Sequence, residues 1–197
     1  MKIGFIGLGN VGGKLAGSLL RNGYDLTVRD LNNELAAPFL DGGAKWCDSP
    51  KQMVETVDLV ITCLPNPAAS ATVMEDEDGI FAGLSSGKIW AEMSTTDDKE
   101  VKRLGKIVQK LGGEALDCPV SGGCHRAVTG NISIFVGGER SSFEKILPVM
   151  KVLGRRILHT GVLGSASVLK VLTNFLATAN LVSLCEALTT AKKVGMD

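Results

Sequence analysis

Three groups of residues have the types and spacing to do chemistry together. Gly7-Leu8-Gly9-Asn10-Val11-Gly12 follows the apolar run Lys2-Ile-Gly-Phe-Ile6 and precedes the helical pattern Lys14-Leu-Ala-Gly-Ser-Leu-Leu20. In that order the first glycine makes a tight turn, the second lets a pyrophosphate approach the backbone, and the third packs helix on strand. The helix N-terminus then offers unpaired N–H groups to the phosphates. Asp30 ends a second apolar run, where a carboxylate accepts hydrogen bonds from ribose hydroxyls and repels a 2′-phosphate. NAD is favoured over NADP, although the neighbouring Arg29 keeps NADP open because its guanidinium can turn toward a phosphate. The plainer alternative is a tight glycine turn with Asp30 capping the next helix. Strand, glycines, helix and acid occurring together favour the dinucleotide.

Nicotinamide chemistry also needs a group that moves a proton beside the carbon exchanging hydride. A Tyr-x-x-x-Lys pair is excluded, since the only tyrosine, Tyr24, is followed four residues on by Val28. No zinc ligand set is visible and no metal is expected; His125 and His159 are the only histidines. The second group is Lys170, a lone cation opening an apolar stretch, with Asn174 four residues on and therefore on the same helical face. Partial desolvation disfavours its charged form and moves the amine toward acid/base use; the alternative is a lysine snorkelling to solvent. The third group, Ser121-Gly122-Gly123 after Asp117-Cys-Pro-Val, tips the balance toward chemistry. Glycine N–H groups and a hydroxyl beyond a strand suit a substrate carboxylate, although an ordinary strand-to-loop turn would read the same way.

The elements that must position these groups follow from periodicity. Ile- and Val-rich runs predict strands near 2–6, 25–29, 58–62, 88–91 and 114–117, with helices near 11–21, 33–40, 50–56, 67–76 and 97–110. Ser94 to Asp97 supply candidate N-caps for the last of these. A strand over 131–136, a helix over 141–152 and a short strand over 156–159 complete the pattern. The expected fold is α/β, a Rossmann-type doubly wound and mainly parallel sheet ending in a long apolar helix. Residues 1–162 would form the nucleotide-binding domain, and 163–197 an interdomain helix opening a helical domain otherwise absent from the chain. From Val171 to Cys185 there is no charge, Gly or Pro, and apolar side chains surround the helix. A helix apolar all round calls for burial all round. The charge-free stretch is short for a membrane span and carries Asn174 and Asn180, so burial against another domain or a second copy is expected, with Val194-Gly195 ending the helix.

Composition narrows the partners. The 197 residues carry 21 Lys plus Arg against 21 Asp plus Glu, leaving no global basic field for nucleic acid or an anionic membrane. Small-molecule chemistry in a homo-oligomer, a dimer or larger, is the expectation. Five cysteines without a C-x-x-C pair fit a reducing compartment, and the N-terminus lacks a signal-peptide pattern, so a cytoplasmic location is expected.

Read together, Phe5 to Gly12, Cys63-Leu64-Pro65, Ser94-Thr95, Asp117-x-Pro-Val-Ser-Gly-Gly123, Gly130-Asn131 through Val136-Gly-Gly138, and Gly164-x5-Lys170-x3-Asn174 resemble the β-hydroxyacid dehydrogenases, in particular the 3-hydroxyisobutyrate dehydrogenase-like branch. The resemblance runs in order across essentially the whole chain. It implies an NAD(P)-dependent oxidoreductase interconverting a short 3-hydroxy acid and its semialdehyde or keto acid. Lys170 would be the acid/base and Asn174 would orient it or the substrate hydroxyl, with Ser121, Gly122 and Gly123 on the substrate carboxylate. Gly7, Leu8, Gly9, Asn10, Val11, Gly12, Asp30, Leu64, Pro65 and Thr95 would hold the cofactor. Departures from the branch include Val11, Leu15, Ser18, Ala69 and Met93 around the nucleotide. Thr173 stands where 6-phosphogluconate dehydrogenases carry His, which argues against a sugar phosphate. Cys124-His125-Arg126 replaces a run of small residues: Arg126 either meets a second substrate carboxylate or is an exposed loop arginine. Two other readings remain, a non-catalytic NAD-binding or oligomerising module and an imine- or keto-reducing relative, the latter weakened by the retained Lys170.

Overall fold

The computed structural model describes residues 1–196. Strands β1 (Ile3–Ile6), β2 (Leu26–Arg29), β3 (Lys45–Trp46), β4 (Leu59–Thr62), β5 (Ile89–Glu92) and β6 (Glu114–Asp117) form a parallel array in the order β3-β2-β1-β4-β5-β6. Every residue of β1, β4 and β5 is buried, as required of strands covered on both faces. Chain order reverses at β1, which pairs with β2 on one side (Ile3 opposite Leu26) and β4 on the other (Ile3 opposite Leu59). A crevice at the carboxyl ends of β1 and β4 is where a doubly wound sheet takes a ligand.

The helices divide into two layers. Helix α1 (Gly12–Arg21) buries Leu15, Ala16 and Leu19 in one core with Phe5 and Val28, and α8 (Arg140–Leu153) adds Ile146, Val149 and Met150 to it. The opposite core joins Met53 and Val54 of α3 (Pro50–Thr56), Met74 of α4 (Pro67–Glu75), Ile80 of α5 (Ile80–Gly83), and Leu104 and Val108 of α6 (Asp98–Lys110) around Trp90. Helix α6 starts where Asp97 accepts a hydrogen bond from the Glu100 N–H at 2.8 Å, so the cap is the last of the candidates between Ser94 and Asp97.

Several elements depart from expectation. The helix expected over 33–40 is a 3-10 turn, Asn33–Ala36, followed by α2 (Ala37–Asp41), with Pro38 in the first turn of α2. Strand β7 (Val120–Ser121) and helix α7 (Cys124–Val128) are too short to show a periodicity, as are β3 and α5. The sheet turns antiparallel after β6: β8 (Ile132–Gly137) pairs with β6 and β7 in that sense, and on its other side runs parallel to β9 (Gly154–Gly161).

The last helix, α9 (Ser165–Lys193), is 29 residues long, with Gly195 (φ 81) just beyond it. Its N-terminal part packs on β8, β9 and β6, and only Ala166 and Ser167 are fully buried. The rest is bare: Phe175 is 68% and Leu181 61% exposed. Burial all round, expected from the sequence, is therefore absent within a single copy, because these side chains extend beyond the sheet that supports the helix start. Asn174 and Asn180 do not interrupt the helix, and the whole of it, unlike the charge-free stretch alone, is long and apolar enough to cross a membrane by length and composition.

Candidate active site

A cavity of about 760 Å³ opens at the reversal point of the sheet, between the glycine loop after β1 and the loop after β4. Its floor is built by close backbone contacts. Gly7 has φ 100, and a Cβ there would stand 2.3 Å from the Cys63 carbonyl oxygen. At Gly12 a Cβ would lie 2.0 Å from the Gly7 carbonyl oxygen, so the start of α1 closes directly on the glycine turn. Gly9 differs, since a Cβ at this cavity-lining position would meet nothing within 4 Å. The fold itself leaves room for a side chain there. A ligand lying against the backbone is what the bare position accommodates, and a dinucleotide pyrophosphate fits it.

The same loop supplies donors. Asn10, Val11 and Gly12 line the cavity, and among the described residues their amides reach no backbone or side-chain acceptor, while Val11 at the helix N-cap has no side-chain cap. Leu8 is the exception among the expected cofactor residues. Its side chain is buried in the core, and its N–H donates to Asp30 Oδ2 at 2.6 Å. Asp30, at the cavity edge, also accepts from the Asn32 N–H at 2.9 Å. It thereby ties the end of β2 to the glycine loop, with lone pairs left for ribose hydroxyls. Arg29 lines the same edge, and its Nη1 donates to the carbonyls of Cys47, at 3.3 Å, and Asp48, leaving Nε and Nη2 for a ligand at that edge.

Leu64, Pro65 and Thr95 line the far wall. What holds that wall was not legible: Ser94 Oγ accepts the Leu64 N–H at 2.7 Å, and the Ser94 N–H donates to Glu92 Oε1 at 2.8 Å. Glu92 is buried, and burial pushes its carboxyl pKa up against the opposing hydrogen bonds from Ser94. Burial, and then the charge of Glu92, push the neighbouring Cys63 thiol up to about 12, so Cys63 packs as a thiol and is no nucleophile. The one clue in the sequence was polarity, Glu92 and Ser94 closing an otherwise apolar strand.

Val120 also lines the cavity, and the chain passes from it into the glycine cradle. Gly122 (φ 126) and Gly123 (φ 86) adopt a backbone that L side chains rarely take, while Ser121 pairs with Ser133 of β8. Lys170 stands on α9, which packs against that same β8. Among the described residues no hydrogen bond or ion pair engages its amine, and desolvation of the half-buried side chain holds its pKa below the ordinary lysine value. Asn174 follows one turn later and is exposed. Ser121, Gly122, Gly123, Lys170 and Asn174 are not part of the cofactor-cavity wall; what links them is β8, which pairs with Ser121 and carries α9. His159 is committed elsewhere: its Nε2 lies 2.8 Å from the Gly138 carbonyl oxygen and its ring stacks on Phe143.

The start of α9 is fixed by a residue the sequence reading did not place in the site. Asp117, fully buried at the end of β6, accepts hydrogen bonds from the N–H groups of Gly164 (2.8 Å) and Ser167 (2.7 Å) and from Ser167 Oγ (2.9 Å). A strand residue caps the helix that carries Lys170.

Comparison with known proteins agrees with this architecture. The chain is 34% identical over its full length to a 2-(hydroxymethyl)glutarate dehydrogenase of Eubacterium barkeri, covering 65% of that protein. It superposes on Mycobacterium tuberculosis 3-hydroxyisobutyrate dehydrogenase, solved with L-serine, with TM-score 0.91 at 26% identity, covering 100% of this chain and 66% of the other. A second solved structure, Psf3 in complex with NADP+ and 2-OPP, gives TM-score 0.91 at 26% identity over 99% of this chain and 69% of that one. The chain spans 58 to 65% of the length of the first curated relatives it matches. Residues 2–161, which carry the glycine loop, Asp30 and the cavity walls, match the NAD binding domain of 6-phosphogluconate dehydrogenase, and it is to this family that the chain belongs.

Proposed function

We propose that the chain carries the NAD-dependent interconversion of a short 3-hydroxy acid and its semialdehyde or keto acid. The observation that carries the reading is Lys170, a half-buried amine of lowered pKa without a partner among the described residues, on a helix pinned by Asp117 and packed on the strand that pairs with Ser121. Bound through the Gly7 to Gly12 loop and Asp30, the nicotinamide cofactor would supply the hydride acceptor for oxidation. The residues of the chain do the rest. Ser121 and the amides of Gly122 and Gly123 hold the substrate carboxylate, and Asn174 orients the hydroxyl. The neutral amine of Lys170 accepts the hydroxyl proton as the carbinol C–H electron pair leaves with the hydride, and the carbonyl forms. In reduction the ammonium returns that proton to the carbonyl oxygen.

The relatives named above support the substrate class, one acting on 2-(hydroxymethyl)glutarate and one being a 3-hydroxyisobutyrate dehydrogenase. A second copy of the chain covering the bare faces of α9 completes the reading. A stretch with Phe175, Leu176, Leu181 and Val182 all more than half exposed is the kind of surface that associates.

The test is calorimetric titration of NADH and NADPH, followed by NAD reduction with 3-hydroxyisobutyrate, 3-hydroxypropionate, L-serine and 2-(hydroxymethyl)glutarate. NADH binding with turnover of at least one of these is expected. Binding without turnover would leave a nucleotide-binding module, and binding of neither nucleotide would overturn the proposal.

A further inference from the structure

A second pocket, of about 380 Å³, lies apart from the cofactor cavity and is lined by Arg126, Asn131, Ser133, Arg155 and Arg156. Three guanidinium-bearing residues share it and, among the described residues, no carboxylate does. Among the described residues none of the three arginines forms an ion pair, although six other pairs stud the surface. Like charges gathered on one small wall repel each other, and an anion between them offsets that repulsion.

The fold assembles this wall by a specific device. In the β8–β9 ladder Ile132 faces Gly154 while Ser133 faces Arg156, so Arg155 is the extra residue of a bulge. Consecutive residues of a regular strand point to opposite faces, whereas a bulge re-aims a side chain, and here Arg155 and Arg156 line the same pocket. Ser133 also faces Ser121 across the β7–β8 ladder. Directly paired residues share a face, so Ser121, Ser133 and Arg156 form one row across three strands. Arg126 closes the pocket from α7 and reaches the cradle as well: a Cβ on Gly122 would lie 3.3 Å from Arg126 Cδ and 3.8 Å from Nη1. The pocket and the Ser121–Gly123 cradle are therefore neighbours joined through Arg126 and Ser133.

We infer that the pocket of Arg126, Arg155 and Arg156 is an anion subsite for the second carboxylate of a dicarboxylic hydroxy acid whose first carboxylate lies on Ser121 to Gly123. The assignment rests on the role given to that cradle in the proposed function and narrows its substrate class to diacids. Guanidinium and carboxylate pair through two parallel N–H···O bonds, and Asn131 and Ser133 add neutral hydrogen-bonding groups. A monocarboxylic substrate would leave the three cations facing each other across the site. Phosphate shares the recognition chemistry, so the experiment separates the two anions.

Glutarate, butyrate and inorganic phosphate are titrated calorimetrically into the NADH-loaded chain and into its R126Q, R156Q and R155Q/R156Q variants. Glutarate is expected to bind at least about tenfold more tightly than butyrate. That preference should disappear in R155Q/R156Q, with NADH affinity unchanged as the check on folding. Equal binding of glutarate and butyrate to the unaltered chain, or a preference that survives in all three variants, would overturn the subsite. Phosphate binding as tightly as glutarate, and lost with the same arginines, would overturn the dicarboxylate assignment. Turnover of the 3-hydroxy acids keeps the two readings distinguishable. Oxidation of 3-hydroxyisobutyrate with no glutarate preference removes the subsite and leaves the dehydrogenase. Arginine-dependent glutarate binding with no turnover of any hydroxy acid removes the dehydrogenase and leaves the subsite.

Discussion

At the scale of single residues, the reaction proposed here depends on one amine being neutral when it meets the substrate hydroxyl. Desolvation disfavours the ammonium of Lys170, so the neutral form is reached at lower pH than for an exposed lysine. The sign follows directly. Oxidation of a hydroxy acid should accelerate as pH rises and level off above the depressed pKa of Lys170, whereas reduction of the semialdehyde should slow over the same range. Lys170→Ala should lower kcat by about a hundredfold or more, the usual scale for loss of a positioned acid/base, with NADH affinity nearly unchanged because Lys170 lies outside the cofactor cavity. Retained turnover in that variant would remove Lys170 from the mechanism. Asp30 has two functions that one substitution separates from Lys170. Asp30→Ala removes the acceptor for the Leu8 and Asn32 amides, and titration should show weakened NADH binding and a smaller preference over NADPH.

At the scale of elements, the decisive joint is the attachment of α9 to β6. Asp117→Ala would leave the Gly164 and Ser167 amides, now capped by a buried carboxylate, without acceptors, at about 1–3 kcal/mol for each buried unsatisfied group. The expected result is a lower melting temperature and a fall in kcat at nearly constant NADH affinity, since the helix carrying Lys170 loosens while the glycine loop does not. Thermal melts and titration of the same preparation check both halves. A contrasting substitution sits at the start of α1, beyond the central strand β1. Gly12→Ala places a methyl 2.0 Å from the Gly7 carbonyl oxygen, a backbone contact that no rotamer relieves, and should abolish NADH binding by forcing α1 off β1. Gly9→Ala meets no described protein atom within 4 Å, so it should keep the parent's stability to within about 1 kcal/mol, the scale of a Gly-to-Ala exchange at a backbone both residues adopt, and lose nucleotide affinity. Most of these elements were legible beforehand. The strands of the parallel array other than β3 fell within one or two residues of their expected positions, because buried apolar runs separated by amphipathic helices can be read locally; the two-residue β3 was not expected. Strand β7 and helix α7 were not, since two and five residues hold no measurable period and are shaped by the pairing of Ser121 with Ser133 and by Gly122 and Gly123.

For the whole molecule, α9 is the feature that most constrains behaviour in solution. Its apolar side chains are on all sides and largely bare beyond Ser167, so the chain should self-associate in detergent-free buffer. Sedimentation at increasing concentration should show a species larger than 20.7 kDa; a monomer at every concentration would contradict the proposed second copy on α9. The cofactor half of the site could be deduced from sequence because its parts lie along one stretch: strand, glycines, helix and the acid ending the next strand are nearest neighbours in a βαβ unit, and backbone sterics leave little freedom in how they meet. The distant parts had no such local signature. The capping of α9 by Asp117 joins residues 47 and 50 positions apart, and the Ser94 hydroxyl reaches back 30 positions to the Leu64 amide. The arginine pocket draws on α7, β8 and a bulge in β9. Hydrophobic period and glycine sterics act over a few residues, so the doubly wound sheet, the dinucleotide loop and Lys170 as a candidate acid/base could be read along the chain. What holds Lys170 in place, which amides Asp30 serves and where three arginines converge emerged with the folded chain, because those are contacts between segments whose separation along the sequence carries no periodic trace.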